Sequence, residues 1–322
     1  MKLYVDHKLD NSGKGYFLQR LKPELEKLGV EFTDFKSCDI VLGLNKYRKG
    51  VNKDKKRAIK DKKKRILRLD GIHLVKSRRN IWANRIVKQD ADRSHAIIWQ
   101  SEFCRKMWKG IMNVKAPKEY VIFNGANPND YKNVKPAKSE YKNNVIISGK
   151  FFSGARRDNK GLRAFIRVAK EYNGEDTCFW VAGKTDLKSE ASERLKFLGH
   201  LPELELKRYL KLADCMLYLA NYDWCPNAIV ECLVAGTPVI CIADTAVEEI
   251  VKASGTTCNF EKLYRPKMIK KDIAPELSDS EVDDVCRVLF HYFMVKRKVK
   301  APWLYISEIA KQYYQVFNEV QR

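Results

Sequence analysis

The stretch Asp223-Trp-Cys-Pro-Asn-Ala-Ile-Val-Glu231-Cys-Leu-Val-Ala-Gly-Thr-Pro238-Val-Ile sets two carboxylates eight residues apart around the start of a helix. Pro226 suits a first helical turn, where its missing N–H costs little, and Asn227 beside it can turn a side chain or a backbone N–H outward. A helix is therefore expected to begin here. Its start would offer unpaired N–H groups and the positive end of the helix dipole to an anionic ligand such as a phosphate. Ala228, Ile229, Cys232 and Leu233 mark the packed side, Glu231 lies just over one turn inside, and Gly236-Thr-Pro238 ends the helix before the apolar run Val239-Ile-Cys-Ile-Ala243. Helix start, helix stop and following strand make one unit of an α/β fold.

The same pattern recurs along the chain. Lys2-Leu-Tyr-Val-Asp6 reads as a first strand, Asn11-Ser-Gly13-Lys14-Gly15 as a glycine loop, and Phe17, Leu18, Leu21, Leu25 and Leu28 as the packed side of a helix stopped by Gly29. This is the opening of a Rossmann-like domain. The glycine loop has neither the length nor the Lys-Ser/Thr ending of a Walker sequence, and no G-x-G-x-x-G follows the first strand. Cys38 to Leu44, Ile66 to Leu69, His95 to Trp99 and Tyr120 to Phe123 read as further strands, and Asn80 to Gln89 as a helix. Ser101 is the expected N-cap of another helix, with Phe103, Met107 and Ile111 on one face. Because ligands of open α/β sheets bind beyond the carboxyl ends of the strands, Asp70, Gly71 and His73 are candidates for a binding cleft.

Asn129 to Asn144, polar and rich in lysine, has the composition of a linker. Asn144-Val-Ile-Ile-Ser-Gly149-Lys150 then opens a second domain, followed by a basic loop with Arg156, Arg157, Lys160 and Gly161 and by a helix with Phe165, Ile166 and Ala169 packed. Thr177 to Gly183 and Leu198 to Pro202 read as a strand ending at a glycine and as a strand with its turn. Glu203 to Leu212 is an expected helix, and Ala213 to Ala220 the strand leading into Asp223. Ser278-Asp-Ser-Glu281 begins an amphipathic helix with a capping box, and a last helix runs from Trp303 to Val320.

Size and composition bound the function. The 322 residues suffice for two ordinary domains, and 45% hydrophobic residues indicate a globular chain. No apolar run approaches the roughly 20 residues of a membrane span, and the first residues lack a signal-peptide core, so a cytoplasmic site is expected. The nine cysteines include no C-x-x-C pair and read as reduced core thiols; no Cys/His cluster has zinc-ligand spacing. Net charge is +22, which attracts polyanions. From Lys46 to Arg79 the chain carries sixteen Lys or Arg against three Asp, with only Tyr47 as an aromatic, so stacking on single-stranded bases has little support.

The stretch from Asp223 to Val239 resembles the E-x7-E region of the retaining glycosyltransferases of family 4, with Asp223 where Glu is usual, shortening its reach by one methylene. Ser101-Glu-Phe103, Asn124-Gly125, Gly149-Lys150 with Lys160-Gly161, and Thr245 to Val251 resemble further segments of that family. The resemblance implies the GT-B fold, an α/β architecture of two Rossmann-like domains with parallel sheets facing across a cleft. It places an acceptor-side domain at 1–135, joined by a C-terminal helix, 303–322, that packs back on it, and a donor-binding domain at 140–302. It implies transfer of a sugar with retention from a UDP- or GDP-sugar to a glycan or lipid-linked glycan. In this reading Lys160, Lys150 in the usual Arg place, Arg156 or Arg157 and the N–H groups near Asn227 hold the diphosphate. Glu231 takes the ribose, Asp223 the sugar hydroxyls, and Gly13, Gly15, Gly149, Gly183, Leu201, Pro226 and Ala228 line the donor. Asp70 or His73 faces the acceptor.

No cofactor is implied, and with no D-x-D at a strand end no metal is expected. The basic segment 46–79 adds an anionic membrane face or nucleic acid as possible partners. Sugar transfer to modified DNA bases and a non-catalytic nucleic-acid-binding role are the alternatives.

Overall fold

In the computed structural model the described residues are 1–7, 9–10, 12–44, 63–151, 160–251, 256–258 and 277–322. They form two compact units, one lying within residues 1–126 and 303–322, the other within 127–258 and 277–302.

The first unit runs β1 (Lys2–Val5), α1 (Gly13–Lys27), β2 (Glu31–Phe32), β3 (Ile40–Leu44), β4 (Lys64–Leu69), α2 (Arg78–Ala91), β5 (Ala96–Trp99), α3 (Glu102–Met112) and β6 (Lys118–Val121). The strands are parallel in the order β2-β1-β3-β4-β5-β6. A parallel sheet covered by helices on both faces has apolar runs rather than alternation, and every residue of β3 and β5 is accordingly buried.

The second unit continues α4 (Asn129–Lys132), β7 (Asn143–Ser148), α5 (Leu162–Glu171), β8 (Thr177–Ala182), β9 (Leu195–Gly199), α6 (Glu203–Leu212), β10 (Cys215–Tyr218), α7 (Asn227–Val234), β11 (Val239–Ile242), α8 (Ala246–Val251), β12 (Thr256–Cys258) and α9 (Asp279–Val295). The chain then returns to the first unit as α10 (Ile306–Gln321). The second sheet is also parallel, in the order β12-β11-β10-β7-β8-β9. Its strand order reverses between β7 and β10. That junction opens a crevice at the carboxyl edge of the sheet, the usual ligand position in open α/β folds.

Helix α10 buries Ile309, Tyr313, Val316 and Phe317 in the same core as Phe17, Leu21, Leu42 and Ile98. Its entry is fixed by Ala126, which bridges Tyr305 and exchanges backbone hydrogen bonds with Leu304 (3.0 Å) and Ile306 (2.9 Å). Gly125 permits this approach, since a Cβ there would fall 2.9 Å from the Ile306 Cα. At its far end the Tyr120 hydroxyl donates to Glu319 at 2.5 Å; burial and that carboxylate push the phenol pKa up to about 12.

Two local readings differ from the sequence. The Gly13-Lys14-Gly15 segment is the first turn of α1 rather than a loop: Ser12 caps it by accepting from the Gly15 N–H at 3.2 Å. Gly15 is needed there because a Cβ would stand 2.0 Å from the Asp10 carbonyl oxygen. Residues 129–144 are packed structure rather than a spacer. Tyr131 is buried under the Lys207 amine, and the Ala137 N–H donates to the Arg208 carbonyl at 3.1 Å. The Ser278–Glu281 capping box at the start of α9 is present as the sequence indicates.

Candidate functional site

At the carboxyl edge of the second sheet three glycines stitch neighbouring strands together. The Gly149 N–H donates to the Ala182 carbonyl at 3.1 Å, and the Gly183 N–H donates to the Gly199 carbonyl at 2.7 Å. Gly183 has φ +151°, and a Cβ on it would lie 2.1 Å from the Gly149 carbonyl oxygen and 2.8 Å from the Phe151 ring. Only glycine fits so close an approach. The buried Phe151 ring and the Lys160 stem lie against Gly149, while the Lys150 side chain is exposed. Leu201, half-buried, follows Gly199 in the turn before α6. Arg156 and Arg157 lie outside the described residues, as do residues 45–62 of the basic segment.

The next contact joins the two sides of the crevice. Gly161, in the left-handed region at φ +74°, starts α5 directly against the end of β10: a Cβ would sit 2.5 Å from the Leu219 carbonyl. This brings Lys160 to Asp223, where the ammonium pairs with Oδ2. The Tyr218 hydroxyl donates to the same oxygen at 2.6 Å, and the Trp224 N–H donates to Oδ1 at 3.0 Å. The Lys160 and Asp223 side chains are 20% and 12% exposed, so the pair is mostly withdrawn from water yet reachable.

Helix α7 begins four residues later. Pro226 is its N-cap and accepts from the Ile229 N–H at 3.1 Å; no acidic side chain stands in the first turn. The positive end of this helix is therefore not neutralised by a carboxylate in that turn. Asn227 and Ala228 are its half-buried first residues, and Glu231, also half-buried, follows one turn on. Val230, rather than Ala228, completes the packed side with Ile229, Cys232 and Leu233.

The first unit carries a separate charged cluster. Asp70, just beyond β4, receives Lys14 on Oδ2 at 2.5 Å, and Arg68 (2.9 Å) and Gln100 (2.7 Å) on Oδ1. Its carbonyl accepts from the Trp108 indole at 2.7 Å. Arg68 is 1% exposed, also donates to Asn124 Oδ1, and lies over the Phe17 ring at 4.4 Å. Asp70 is thus the centre of an ion-pair network in which both carboxylate oxygens are occupied. Gly13 and Gly15 lie in the helical turn that carries Lys14 to this cluster.

His73 stands beyond Asp70 with its backbone clamped by Asn84, which accepts from the His73 N–H (3.1 Å) and donates to its carbonyl (2.8 Å). Its side chain is exposed, but partial desolvation, then Arg79 and Lys14, lower its pKa below the ordinary 6.5. His95 is lowered by desolvation, Lys64 and Arg65, and its Nδ1 accepts from the Arg65 N–H at 3.1 Å, which requires the neutral ring. Between each lowered pKa and 6.5 the folded chain binds fewer protons than the unfolded one, so stability falls on acidification through that window. An NMR titration of the ring carbons should give both midpoints below 6.5; a midpoint above 6.5 for either would contradict its placement.

Among the described residues no group of three His, Cys, Asp or Glu is placed to hold a metal ion. The one D-x-D sequence, Asp90-Ala-Asp92, ends α2, with Asp90 paired to buried Arg65 and Asp92 to Lys88. Cys38, Cys104, Cys178, Cys215, Cys225, Cys232, Cys241 and Cys286 are free thiols. No helix of the described residues is long and apolar enough to cross a membrane.

Sequence reasoning did not single out Lys14, Arg68, Gln100 or Tyr218. A charged residue inside the apolar run Ile66-Leu-Arg-Leu69 is a visible sign of a buried partner, but nothing local names Asn124, 56 residues on. Tyr218 in an apolar strand reads simply as core.

The glycosyl transferases group 1 model matches residues 132–287. Among solved structures, Anabaena Alr3699/HepE in complex with UDP is similar at 14% identity, covering 99% of both chains with a TM-score of 0.69. The same protein in complex with UDP-glucose is similar at 13% identity, 99% coverage of both chains and a TM-score of 0.67. Sucrose-phosphate synthase from Thermosynechococcus elongatus is similar at 11% identity, 99% coverage of both and a TM-score of 0.64. No curated protein matches the chain. At these identities the likeness establishes the fold alone: the two parallel-sheet α/β units match the GT-B architecture of those structures.

Proposed function

We propose that the protein is a retaining, metal-independent glycosyltransferase that moves a sugar from a UDP- or GDP-sugar to a glycan or lipid-linked glycan. The observation that carries this reading is the meeting of Lys160 with Asp223 at the reversal of strand order between β7 and β10. A leaving diphosphate gathers negative charge, and an ammonium within reach of a helix start is an arrangement that stabilises it. The match of the glycosyl transferases group 1 model over the unit that holds these residues, and the UDP-glucose complex of a similar fold, support the donor class.

In this reading the diphosphate takes Lys160 and the N–H groups at the start of α7, with Lys150 adding charge at the rim. Glu231 accepts the ribose hydroxyls and Asp223 the hydroxyls of the sugar. Gly149 and Gly183 let the strand ends approach closely beside the Phe151 ring and the Lys160 stem, and the donor lies along that edge. The acceptor binds in the first unit near Asp70 and His73, with His73 neutral at pH 7.

Glu231→Ala tests the nucleotide half directly. Calorimetric titration with UDP and GDP should show a loss of about tenfold or more in affinity for the nucleotide that binds, the range for a hydrogen bond to a charged group. Unchanged affinity would remove Glu231 from the ribose. The net charge of +22 favours a second acceptor class, a modified DNA base, which transfer of label from sugar to duplex DNA would reveal.

A further inference from the structure

We infer that Tyr218 is the positioning residue of the donor site, its hydroxyl holding Asp223 in place when a donor draws Lys160 away. This rests on the proposed function and assigns a role to a side chain that no motif marks.

Among the described residues Asp223 has three donors on two oxygens. Lys160 and Tyr218 share Oδ2, and the Trp224 N–H holds Oδ1 at 3.0 Å. The three are not equivalent. Lys160 is a mobile cation on a flexible stem, and a diphosphate carries more charge than one carboxylate, so a bound donor competes for it. The Trp224 N–H belongs to the adjacent residue and moves with the loop that carries Asp223. Tyr218 differs from both: it closes β10, its side chain is wholly buried, and its backbone is held in the sheet by pairing with Cys241 of β11. Its phenol is neutral, so a phosphate does not draw it off as it draws an ammonium.

The geometry gives a sequence of contacts. Lys160 closes on Asp223. On donor binding the ammonium turns to the diphosphate, and Oδ2 keeps the Tyr218 hydrogen bond. The carboxylate then faces the sugar hydroxyls with its direction fixed by the core rather than by the ion pair. Asp is short, with little stem to fold over, and a donor rooted in the sheet suits it: Tyr218 at 2.6 Å fixes the carboxylate without the ligand's help.

Tyr218→Phe removes the hydroxyl and leaves the ring packing. Steady-state release of UDP or GDP from UDP-glucose and GDP-glucose, with water as acceptor, should fall about tenfold or more in kcat, the effect of losing a hydrogen bond to a charged group. Inhibition by UDP or GDP, which lack the sugar, should stay within about twofold, and the thermal midpoint should be nearly unchanged, because the positioning acts on the sugar alone. A wild-type kcat in the variant overturns the positioning role while leaving the donor site standing. Equal losses of nucleotide affinity and thermal stability also overturn it, since they mark a merely structural hydroxyl. A wild-type protein that binds neither UDP nor GDP overturns the proposed function, and the positioning role with it.

Discussion

Replacing Lys160 by alanine should lower turnover of the nucleotide-sugar donor by about a hundredfold, the cost of removing one preorganised group from a developing charge. The loss should fall on kcat more than on KM, because the diphosphate becomes a better ligand for the ammonium as the bond to the sugar breaks. Folding should suffer less. Asp223 keeps Tyr218 and the Trp224 N–H, and its side chain remains 12% exposed, so the carboxylate left behind is neither unpaired nor sealed from water. Single-turnover release of nucleotide separates the two effects. A rate within about threefold of wild type would remove Lys160 from the chemistry.

For Arg68→Ala the expected loss is in stability, about 2–5 kcal/mol, the cost of emptying a long buried side chain and leaving a buried acceptor without its donor. The guanidinium is 1% exposed and meets three different groups: Asp70 at 2.9 Å, Asn124, and the Phe17 ring at 4.4 Å. Alanine satisfies none of them and leaves a void in the core. Asp70 would retain Lys14 and Gln100, so the damage should centre on Asn124 and the packing of Phe17. Arg68→Met, which refills the volume without the charge, should recover part of the loss. Urea denaturation of both variants measures this, and an Arg68→Ala midpoint equal to wild type would contradict the network.

What the sequence makes legible here is periodicity and punctuation. The apolar runs at Ile40–Leu44 and Val145–Ile147, the caps at Ser101 and Ser278, and the start at Pro226 are local signals, and the elements stand where those signals lie. Signals that compete locally fail. Gly13-Lys14-Gly15 looks like a loop because glycine is poor in helices, but Ser12 caps the turn and Asp10 needs the space of Gly15. The polar composition of 129–144 hides Tyr131, whose burial depends on Lys207 from a distant helix.

The candidate site divides the same way. Lys160 and Asp223 can each be picked out by motif, yet their pairing across 63 residues is a property of the folded sheet. Asp70 illustrates the converse. Its place after a strand marks it as a ligand-facing residue, but the three side chains that occupy it come from α1, β4 and the end of β5, which no local pattern brings together.

The proposed function makes the second unit a nucleotide-sugar site that works without a metal. Thermal unfolding of the wild-type chain in EDTA, against saturating UDP-, GDP- and ADP-sugars, tests it most directly. One donor at about 100 times its dissociation constant should add about 2.7 kcal/mol of stability, and the shift should shrink in Lys160→Ala. No shift with any donor, or a shift that appears only when a divalent metal is restored, would contradict it.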